Sequence, residues 1–243
     1  MGRLDDKVAL ITGGARGQGA AEAELFVADG ATVVIADVLD DEGRATADRI
    51  GDACRYEHLD VTDEAGWGAL VADIVEAHGR LDVLVNNAGI FRVQPLGETS
   101  LDDWNRMLAI NQTGVFLGMR AVAPPMTAAR SGSIINISSV AGLNGVGMAF
   151  TYSATKWAVR GMTKSAAQDL SRSGVRVNSV HPGYIDTDML RELDPDRGNL
   201  ERGVPLGRLA TAAEVGEVVL FLASDESGYC TGHEFVVDGG LTA

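Results

Sequence analysis

A chain of 243 residues, of which 46% are hydrophobic and 22% charged, can bury a large core and does not have the composition of a disordered protein. Its net charge of −14 and its scattered arginines disfavour nucleic acid and anionic membrane surfaces as partners. The only two cysteines, Cys54 and Cys230, and the four histidines lack paired or ligand spacing, so we predict neither a disulfide framework nor a metal site.

The first residues, MGRLDDKVALITGG, are charged and lead directly into a strand pattern. They lack the apolar stretch of a secretion signal, and no run of about 18 apolar residues follows. We therefore expect a cytoplasmic protein. Chains of this length with an α/β pattern commonly form one domain, so we expect a single domain over residues 1–243.

Short β-rich runs alternate along the chain with longer segments of helical periodicity. The predicted strands are 7–12, 32–37, 54–60, 81–87, 133–138, 175–181 and 234–239. The predicted helical segments are 18–29, 40–50, 63–78, 101–129, 152–172 and 211–223. This alternation predicts an α/β fold, a doubly wound Rossmann-type domain whose seven-stranded parallel sheet has helices on both faces. The charged segment 188–204 does not fit the pattern and is predicted to be a mobile substrate loop.

A glycine-rich turn, TGGARGQG, follows the first strand and precedes the first helix. Gly13, Gly17 and Gly19 would let the backbone turn tightly and approach a pyrophosphate, which the amino end of the helix can bind. Glycines also serve ordinary turns and caps, but their position between the first strand and the first helix favours a dinucleotide site.

Asp37 ends the second predicted strand, at about the distance from the turn where an acid binds the adenosine ribose. A carboxylate there repels a 2′-phosphate, so NAD is predicted over NADP. Arg16 in the glycine turn could instead attract that phosphate. The alternative for Asp37 is a helix cap or a solvated strand end.

Tyr152 and Lys156 are four residues apart in a predicted helix and therefore share one face. A nearby ammonium favours phenolate and is expected to lower the tyrosine pKa, which suits a general acid or base. A packed ring beside an extended lysine is the alternative. Ser139 ends a predicted strand, where its hydroxyl can donate to a carbonyl oxygen, and Ser138 would point to the opposite side. Together these residues predict a site for a carbonyl substrate.

The motifs TGGARGQG, NNAG, INQTGVF, NISS, YSATK and HPGYIDT occur in the order of the short-chain dehydrogenase/reductase family. The chain resembles the classical branch of this family over essentially its whole length. Within it, the stretches ITGGARG, ADVLDDEG, HLDVT and RVNSVHPG resemble bacterial NAD-dependent hydroxysteroid dehydrogenases of the 3α/20β type. The resemblance also implies a homotetramer.

The resemblance implies roles for residues at the matching positions. Tyr152 would transfer the proton, Ser139 would polarise the substrate oxygen, and Lys156 would lower the tyrosine pKa and hold the nicotinamide ribose. Asn111 would anchor a water molecule through a local distortion of its helix. The implied cofactor-binding residues are Gly13, Arg16, Gln18, Gly19, Asp37, Asp60, Val61, Asn87, Ala88, Gly89, Tyr152, Lys156, Pro182, Gly183, Ile185 and Thr187.

Several of these residues also have ordinary structural explanations. Asn111 could be a helix N-cap, Asp60 a polar cap, and the HPG segment a turn. The residues Asn87, Ala88 and Gly89 could merely stabilise the central sheet. Gln18 departs from the family pattern, which has an aliphatic residue there, and we expect this change to alter local packing more than cofactor binding.

The residues expected to border the substrate pocket are mainly apolar, which favours a hydrophobic or alicyclic ketone such as a steroid. They are Ser139, Leu143, Val146, Met148, Phe150, Tyr184, Met189 and Leu190. The same side chains could be core or interface residues. The predicted function is reversible NAD-dependent hydride transfer between a secondary alcohol and a ketone. The alternatives are an acyl-thioester or sugar oxidoreductase of the same family and a dinucleotide-sensing protein without turnover.

Overall fold

A seven-stranded sheet runs through the computed structural model, which describes residues 2–193 and 198–243. Its strands are β1 Val8–Thr12, β2 Thr32–Asp37, β3 Cys54–His58, β4 Val83–Asn86, β5 Gly132–Ile137, β6 Val175–Pro182 and β7 Glu234–Val237. All neighbouring strands are parallel, in the order β3-β2-β1-β4-β5-β6-β7. The predicted α/β architecture is confirmed, with every strand end within two residues of the one predicted.

The helices lie between the strands in the predicted alternation. They are α1 Gly17–Ala28, α2 Asp40–Ile50, α3 Glu64–His78, α4 Leu101–Leu108, α5 Gly114–Ala129, α6 Phe150–Leu170, α7 Asp188–Leu193, α8 Gly198–Gly203 and α9 Ala212–Ala223. Among the described residues, no helix combines the length and apolarity that crossing a bilayer requires.

The predicted helical segment 101–129 is divided. A π-helical turn, Ala109–Thr113, separates α4 from α5. Such turns add a residue to the helical repeat and are frequent at functional sites.

The predicted loop 188–204 contains the two short helices α7 and α8. Residues 194–197 lie outside the described residues. Whether this segment closes over a substrate stays a prediction.

Both faces of the sheet are buried, which explains why its strands are nearly continuous apolar runs. On one face, Ile11 and Ile35 pack in a cluster with Phe26 of α1 and with α9. On the other, Leu10 packs in a cluster with Trp67 of α3 and with side chains of α5 and α6. Successive strand residues thus serve opposite layers.

The strand order reverses at β1, which lies between β2 and β4. Ile11 pairs with Ile35 on one side and with Val85 on the other, so the three strands end at one edge of the sheet. Ligands of doubly wound sheets bind at this position, outside the carboxyl ends of the strands. The glycine turn and Asp37 both lie at this edge.

Candidate active site

Helix α6 presents Tyr152 and Lys156 on one face, one turn apart. Nζ of Lys156 lies 5.4 Å from the centre of the Tyr152 ring. The lysine is buried, and its Nζ donates a hydrogen bond of 2.8 Å to the carbonyl oxygen of Ile137, at the end of β5. The ring of Phe91 packs edge-on against the tyrosine at a centroid distance of 4.7 Å. The phenol and the ammonium therefore have fixed positions at the end of the sheet.

Ser139 is held at the end of β5 by several hydrogen bonds. Its Oγ accepts a hydrogen bond from the backbone N–H of Ala141 at 3.1 Å, and its hydroxyl lies near enough to the Tyr152 phenol to lower the pKa of that phenol. The adjacent Ser138 faces the other way and donates to the carbonyl oxygen of Lys156 at 3.0 Å. The serine, tyrosine and lysine are thus brought together.

His181 fixes the backbone of this serine. Its Nδ1 lies 3.0 Å from the Ser139 carbonyl oxygen, which can only accept, so Nδ1 carries the proton. Its Nε2 then accepts from the Ser179 hydroxyl at 2.9 Å. Burial lowers the pKa of this histidine, which favours the neutral ring. No sequence pattern predicts this contact of His181.

The sequence predicts a lowered pKa for Tyr152, and this direction is wrong. Burial raises the pKa of Tyr152 to about 12, although the nearby Ser139 hydroxyl acts to lower it. Burial also lowers the pKa of Lys156 to about 8. Both charged forms lose hydration, and that penalty exceeds the attraction between them.

The π-helical turn buries Asn111 against the loop that follows β4. Its Oδ1 accepts from the backbone N–H of Ile90, and its Nδ2 donates to the carbonyl oxygen of the same residue, both at 2.8 Å. Nδ2 also lies 3.4 Å from Oγ1 of Thr155 on α6. Asn111 is therefore not a helix N-cap, because it lies inside a helical turn and its side chain bonds to another segment.

Gly89 marks the point where Asn111 and Lys156 meet. A Cβ on this glycine would lie 3.4 Å from Oδ1 of Asn111 and 3.7 Å from Nζ of Lys156. The NNAG segment, the distorted helix and α6 therefore converge beside the tyrosine. Thr155, which is buried and donates to the Tyr152 carbonyl oxygen at 2.8 Å, completes this cluster and was not predicted.

The glycine turn and the NNAG segment are bonded to each other at the point where the strand order reverses. Nδ2 of Asn87 donates to the carbonyl oxygens of Thr12 and Gly13 at 3.0 and 3.1 Å. The backbone N–H groups of Asn87 and Ala88 both donate to Oγ1 of Thr12 at 3.1 Å. The ends of β1 and β4 are therefore locked together.

Asp37 braces the turn next to it. Its Oδ2 accepts from the backbone N–H of Ala15 at 3.1 Å, and its Oδ1 accepts from those of Val38 and Leu39 at 2.8 and 3.2 Å. Arg16 is exposed and has no ion pair with a described residue. The carboxylate thus lies beside the glycine turn, where the sequence predicts the adenosine ribose.

Asp60 and Val61 follow β3. Oδ1 of Asp60 accepts from both the backbone N–H and the hydroxyl of Thr62. The N-cap of α3 is Asp63, so Asp60 stabilises a turn and does not cap that helix. Val61 packs on the start of α5, where a Cβ on Gly114 would lie 2.9 Å from its Cγ2.

The segment after β6 crosses to the glycine turn. It follows Pro182, the last residue of β6, and begins with Gly183, whose N–H donates to the Val237 carbonyl oxygen at 2.9 Å. Ile185 is buried and forms a bridge with Ala210. Thr187 lies opposite Gly17, since a Cβ on that glycine would be 3.9 Å from its Cγ2.

The predicted pocket residues do not all meet. Val146 and Met148 are exposed just before α6, and Phe150 is exposed at its start. The centre of the Phe150 ring lies 5.9 Å from the centre of the Trp104 ring. Leu143 is partly buried just ahead of them, and Met189 and Leu190 lie in α7. Tyr184 instead lines a separate cavity of about 90 Å³, whose lining includes neither Ser139 nor Tyr152.

Comparisons with known proteins identify the family. A family model described as enoyl-(acyl carrier protein) reductase matches residues 13–242. The 3α-(or 20β)-hydroxysteroid dehydrogenase of Mycobacterium tuberculosis is 53% identical over 242 residues, covering 100% of this chain and 92% of the relative. The chain belongs to the short-chain dehydrogenase/reductase family. The protein is therefore an oxidoreductase, as its motifs predict.

Two further relatives are dehydrogenases of alicyclic alcohols. The trans-4-hydroxycyclohexanecarboxylate dehydrogenase of Sinomonas cyclohexanicum is 50% identical, over 99% of this chain and 95% of the relative. The cyclopentanol dehydrogenase of a Comamonas species is 46% identical over the full length of both chains. The predicted resemblance to hydroxysteroid dehydrogenases is confirmed by the names of the relatives.

Membership of the short-chain dehydrogenase/reductase family implies a nicotinamide dinucleotide cofactor, and the glycine turn fits one. Gly13 and Gly17 have φ values of 66° and 59°, a region that favours glycine. A Cβ on Gly19 would lie 2.3 Å from the Gly13 carbonyl oxygen, so this turn closes only without side chains. A Cβ on Gly17, where α1 begins, would contact only Thr187 within 4 Å, which leaves room for a pyrophosphate at the helix end.

Proposed function

We propose that the protein catalyses reversible NAD(H)-dependent hydride transfer between a secondary alcohol and a ketone, with Ser139, Tyr152 and Lys156 as the catalytic residues. The observation that carries the proposal is the Tyr152 phenol placed near the Ser139 hydroxyl, which influences its pKa, and beside a buried ammonium. A protein that only binds a dinucleotide has no need of this arrangement. Its position at the carboxyl end of the sheet is where a doubly wound fold holds a ligand.

When bound, the nicotinamide dinucleotide supplies the hydride acceptor for oxidation and the hydride donor for reduction. During oxidation, Tyr152 as phenolate takes the proton from the substrate hydroxyl, and the Ser139 hydroxyl donates a hydrogen bond to the substrate oxygen. During reduction, the neutral phenol returns the proton. The ammonium of Lys156 stabilises the phenolate, and its contact with Ile137 keeps it in place.

We assign Asn111 a positioning role on the path by which the proton leaves the active site. Its side chain is fully engaged by Ile90 and Thr155, which fixes the π-helical turn next to Lys156. A π turn leaves backbone carbonyl groups outside the regular helical pattern, where they can hold a water molecule.

The preference for NAD rests on Asp37. Its carboxylate is held by three backbone N–H groups at the end of β2, so it has little freedom to turn away from a 2′-phosphate. Arg16 is exposed and can turn to solvent. The fixed charge therefore outweighs the mobile one.

The proposed substrate is a hydrophobic or alicyclic alcohol or ketone, such as a steroid. The exposed apolar side chains of Val146, Met148 and Phe150, which precede Tyr152 in the chain, support it. The relatives named for steroid, cyclohexane and cyclopentane substrates support it as well. An acyl-carrier substrate agrees with the description of the family model, but carrier proteins are acidic and a chain of charge −14 would repel them.

A panel of substrates tests this function. Oxidation of NADH, followed by its near-ultraviolet absorbance, should be fastest with steroid or alicyclic ketones and slower with sugars and acyl thioesters. Faster turnover of enoyl thioesters would favour the acyl-carrier alternative. No turnover of any ketone would contradict the proposed function.

We also propose that residues 1–243 form one domain and assemble as a homotetramer in the cytoplasm. A single sheet uses strands from both ends of the chain, which supports one domain.

The proposed assembly is supported by two exposed aromatic side chains that suit a subunit contact, Phe116 of α5 and Trp157 of α6. The free Cys54 and Cys230 suit a reducing compartment. Light scattering after size-exclusion chromatography measures the assembly, and cell fractionation the location.

A further inference from the structure

Helix α1 buries a carboxyl group beside the glycine turn. Glu22 is fully buried, and its Oε2 has no hydrogen-bond partner among the described residues. Burial raises the pKa of this glutamate to about 8, so the group is uncharged at neutral pH. A buried polar atom without a partner costs stability, and an apolar side chain of similar size would pack here without that cost. The fold alone therefore does not explain this residue.

Glu22 is joined to the cofactor site through Gln18. Nε2 of Gln18 donates to Oε1 of Glu22 at 2.9 Å and to Oδ1 of Asn87 at 3.3 Å. Both hydrogens of the glutamine amide are thus used, one for each neighbour. Gln18 lies in the glycine turn, at a position where the family pattern that the sequence resembles has an aliphatic residue.

The hydrogen bonds have a fixed direction from the sheet to the glutamate. Nδ2 of Asn87 donates to the carbonyl oxygens of Thr12 and Gly13, which can only accept. Oδ1 of Asn87 must therefore face Gln18 as an acceptor, and the glutamine must present its NH₂ group. That group needs an acceptor on its other side, and Oε1 of Glu22 provides it.

A shift in the hydrogen-bonded series Glu22, Gln18 and Asn87 would be transmitted directly to the glycine turn. A Cβ on Gly19 would lie 2.6 Å from Nδ2 of Asn87, and a Cβ on Gly13 would lie 2.9 Å from the same atom. The asparagine amide is thus packed against both glycines, and a shift of Gln18 displaces it or the turn.

We propose that Glu22 is a positioning residue for the dinucleotide, which acts through Gln18 and Asn87 to hold the glycine turn in its binding conformation. The inference rests on the proposed placement of the cofactor in that turn. It assigns the side chain of Gln18 a purpose beyond packing, because the glutamine links the buried acid to the sheet. Glu22 itself does not touch the cofactor or the reacting atoms.

The test compares the affinity for NADH with the stability of the protein without cofactor. Glu22→Met removes the acceptor and nearly keeps the volume, whereas Glu22→Gln keeps an oxygen acceptor. Loss of one hydrogen bond predicts that Glu22→Met weakens NADH binding roughly threefold to tenfold, measured by the fluorescence of bound NADH. Glu22→Gln should bind within about twofold of wild type. The KM for NAD should rise in Glu22→Met with kcat unchanged.

A merely structural glutamate would give another pattern. The Tm of Glu22→Met should equal or exceed that of wild type, since the unpaired carboxyl is removed. Glu24→Met is the matched control, because Glu24 lies on the same helix in an exposed ion pair with Arg49, and its NADH affinity should not change. A fall in affinity that only accompanies a fall in Tm would overturn the inference.

A double-mutant cycle with Gln18→Met tests the path. Gln18→Met alone should weaken NADH binding by a similar factor, and adding Glu22→Met should cause little further loss, because both changes cut one chain of hydrogen bonds. The inference would be overturned if the losses of affinity in the two single variants multiply in the double variant, or if Glu22→Met binds NADH as tightly as wild type. Either result would leave the proposed function standing. A wild-type protein that does not bind NADH would instead overturn the proposed function and this inference together.

Discussion

Nζ of Lys156 lies 5.4 Å from the centre of the Tyr152 ring, while its hydrogen bond goes to the carbonyl oxygen of Ile137 and not to the phenol. The lysine thus acts on the tyrosine through space, as a positive charge anchored to the sheet. Its pKa of about 8 leaves it charged at neutral pH. The pKa of Tyr152, raised to about 12 by burial, means that phenolate must be stabilised by charge within the site.

The activities in the two directions should therefore depend on pH with opposite signs. Alcohol oxidation uses phenolate, so its kcat should rise from pH 6 towards pH 8, the range in which the Lys156 ammonium stays charged. Ketone reduction uses the neutral phenol and should decline as phenolate forms. Lys156→Met removes the cation and should shift the alkaline rise of oxidation upward by about one pH unit or more. Steady-state rates in both directions measure these profiles. An unshifted profile in the variant would show that the lysine does not tune the phenol.

Cofactor preference should depend on the charge of Asp37. Asp37→Asn removes the negative charge but keeps an oxygen that can accept from the turn, so the ratio of kcat/KM for NADP to that for NAD should rise roughly tenfold or more. Asp41→Asn, a neutralised acid on the exposed face of α2, serves as the control and should leave the ratio unchanged. Wild-type preference for NADP would contradict the role given to Asp37.

His181 should affect turnover through the position of Ser139. His181→Leu removes the donor to the Ser139 carbonyl oxygen, so kcat should fall roughly tenfold with the KM for NAD unchanged. His181→Asn can place an amide N–H where Nδ1 lies and should recover most of the rate. Equal losses in the two variants would show that the ring itself, and not this hydrogen bond, is needed.

The stability of the protein should depend on pH through Glu22. The unfolded chain releases this proton near pH 4.5, but the folded protein keeps it up to about pH 8. Between these values the folded state holds the extra proton, so the free energy of unfolding falls as pH rises, by up to roughly 1 kcal/mol per pH unit. The stabilising effect is complete below pH 4.5 and is lost as pH rises through 8.

Glu22→Gln cannot ionise and should lack this dependence. The calorimetric Tm of the variant, relative to that of wild type, should therefore increase as pH rises from 6 to 8. The Tm of the exposed Glu24→Gln control should differ from that of wild type by a constant amount over this range. A constant difference between Glu22→Gln and wild type would mean that the carboxyl does not titrate in this range.

The sequence predicts the sheet and most helices because apolar runs and glycine turns reflect local geometry. The apolar pattern does not predict the π-helical turn at Asn111, because one added residue leaves that pattern nearly intact from α4 to α5; only the family resemblance implies a local distortion of the helix there. The spacing of Tyr152 and Lys156 correctly predicts that the two side chains lie close together. It carries no information on the loss of hydration, which sets the direction in which the phenol pKa shifts. The sequence gives no sign that Glu22 is buried, because α9, which packs against it near Gly216, comes from near the other end of the chain.

The most direct test is the effect of Tyr152→Phe on turnover of the best ketone in the substrate panel, with NADH binding measured in parallel. The phenylalanine keeps the ring that packs on Phe91 and removes only the hydroxyl, so kcat should fall by roughly 10²–10⁴ while the NADH affinity stays near that of wild type. Tyr229→Phe, at a fully exposed tyrosine, should keep full activity. Turnover by Tyr152→Phe at the wild-type rate would contradict the account.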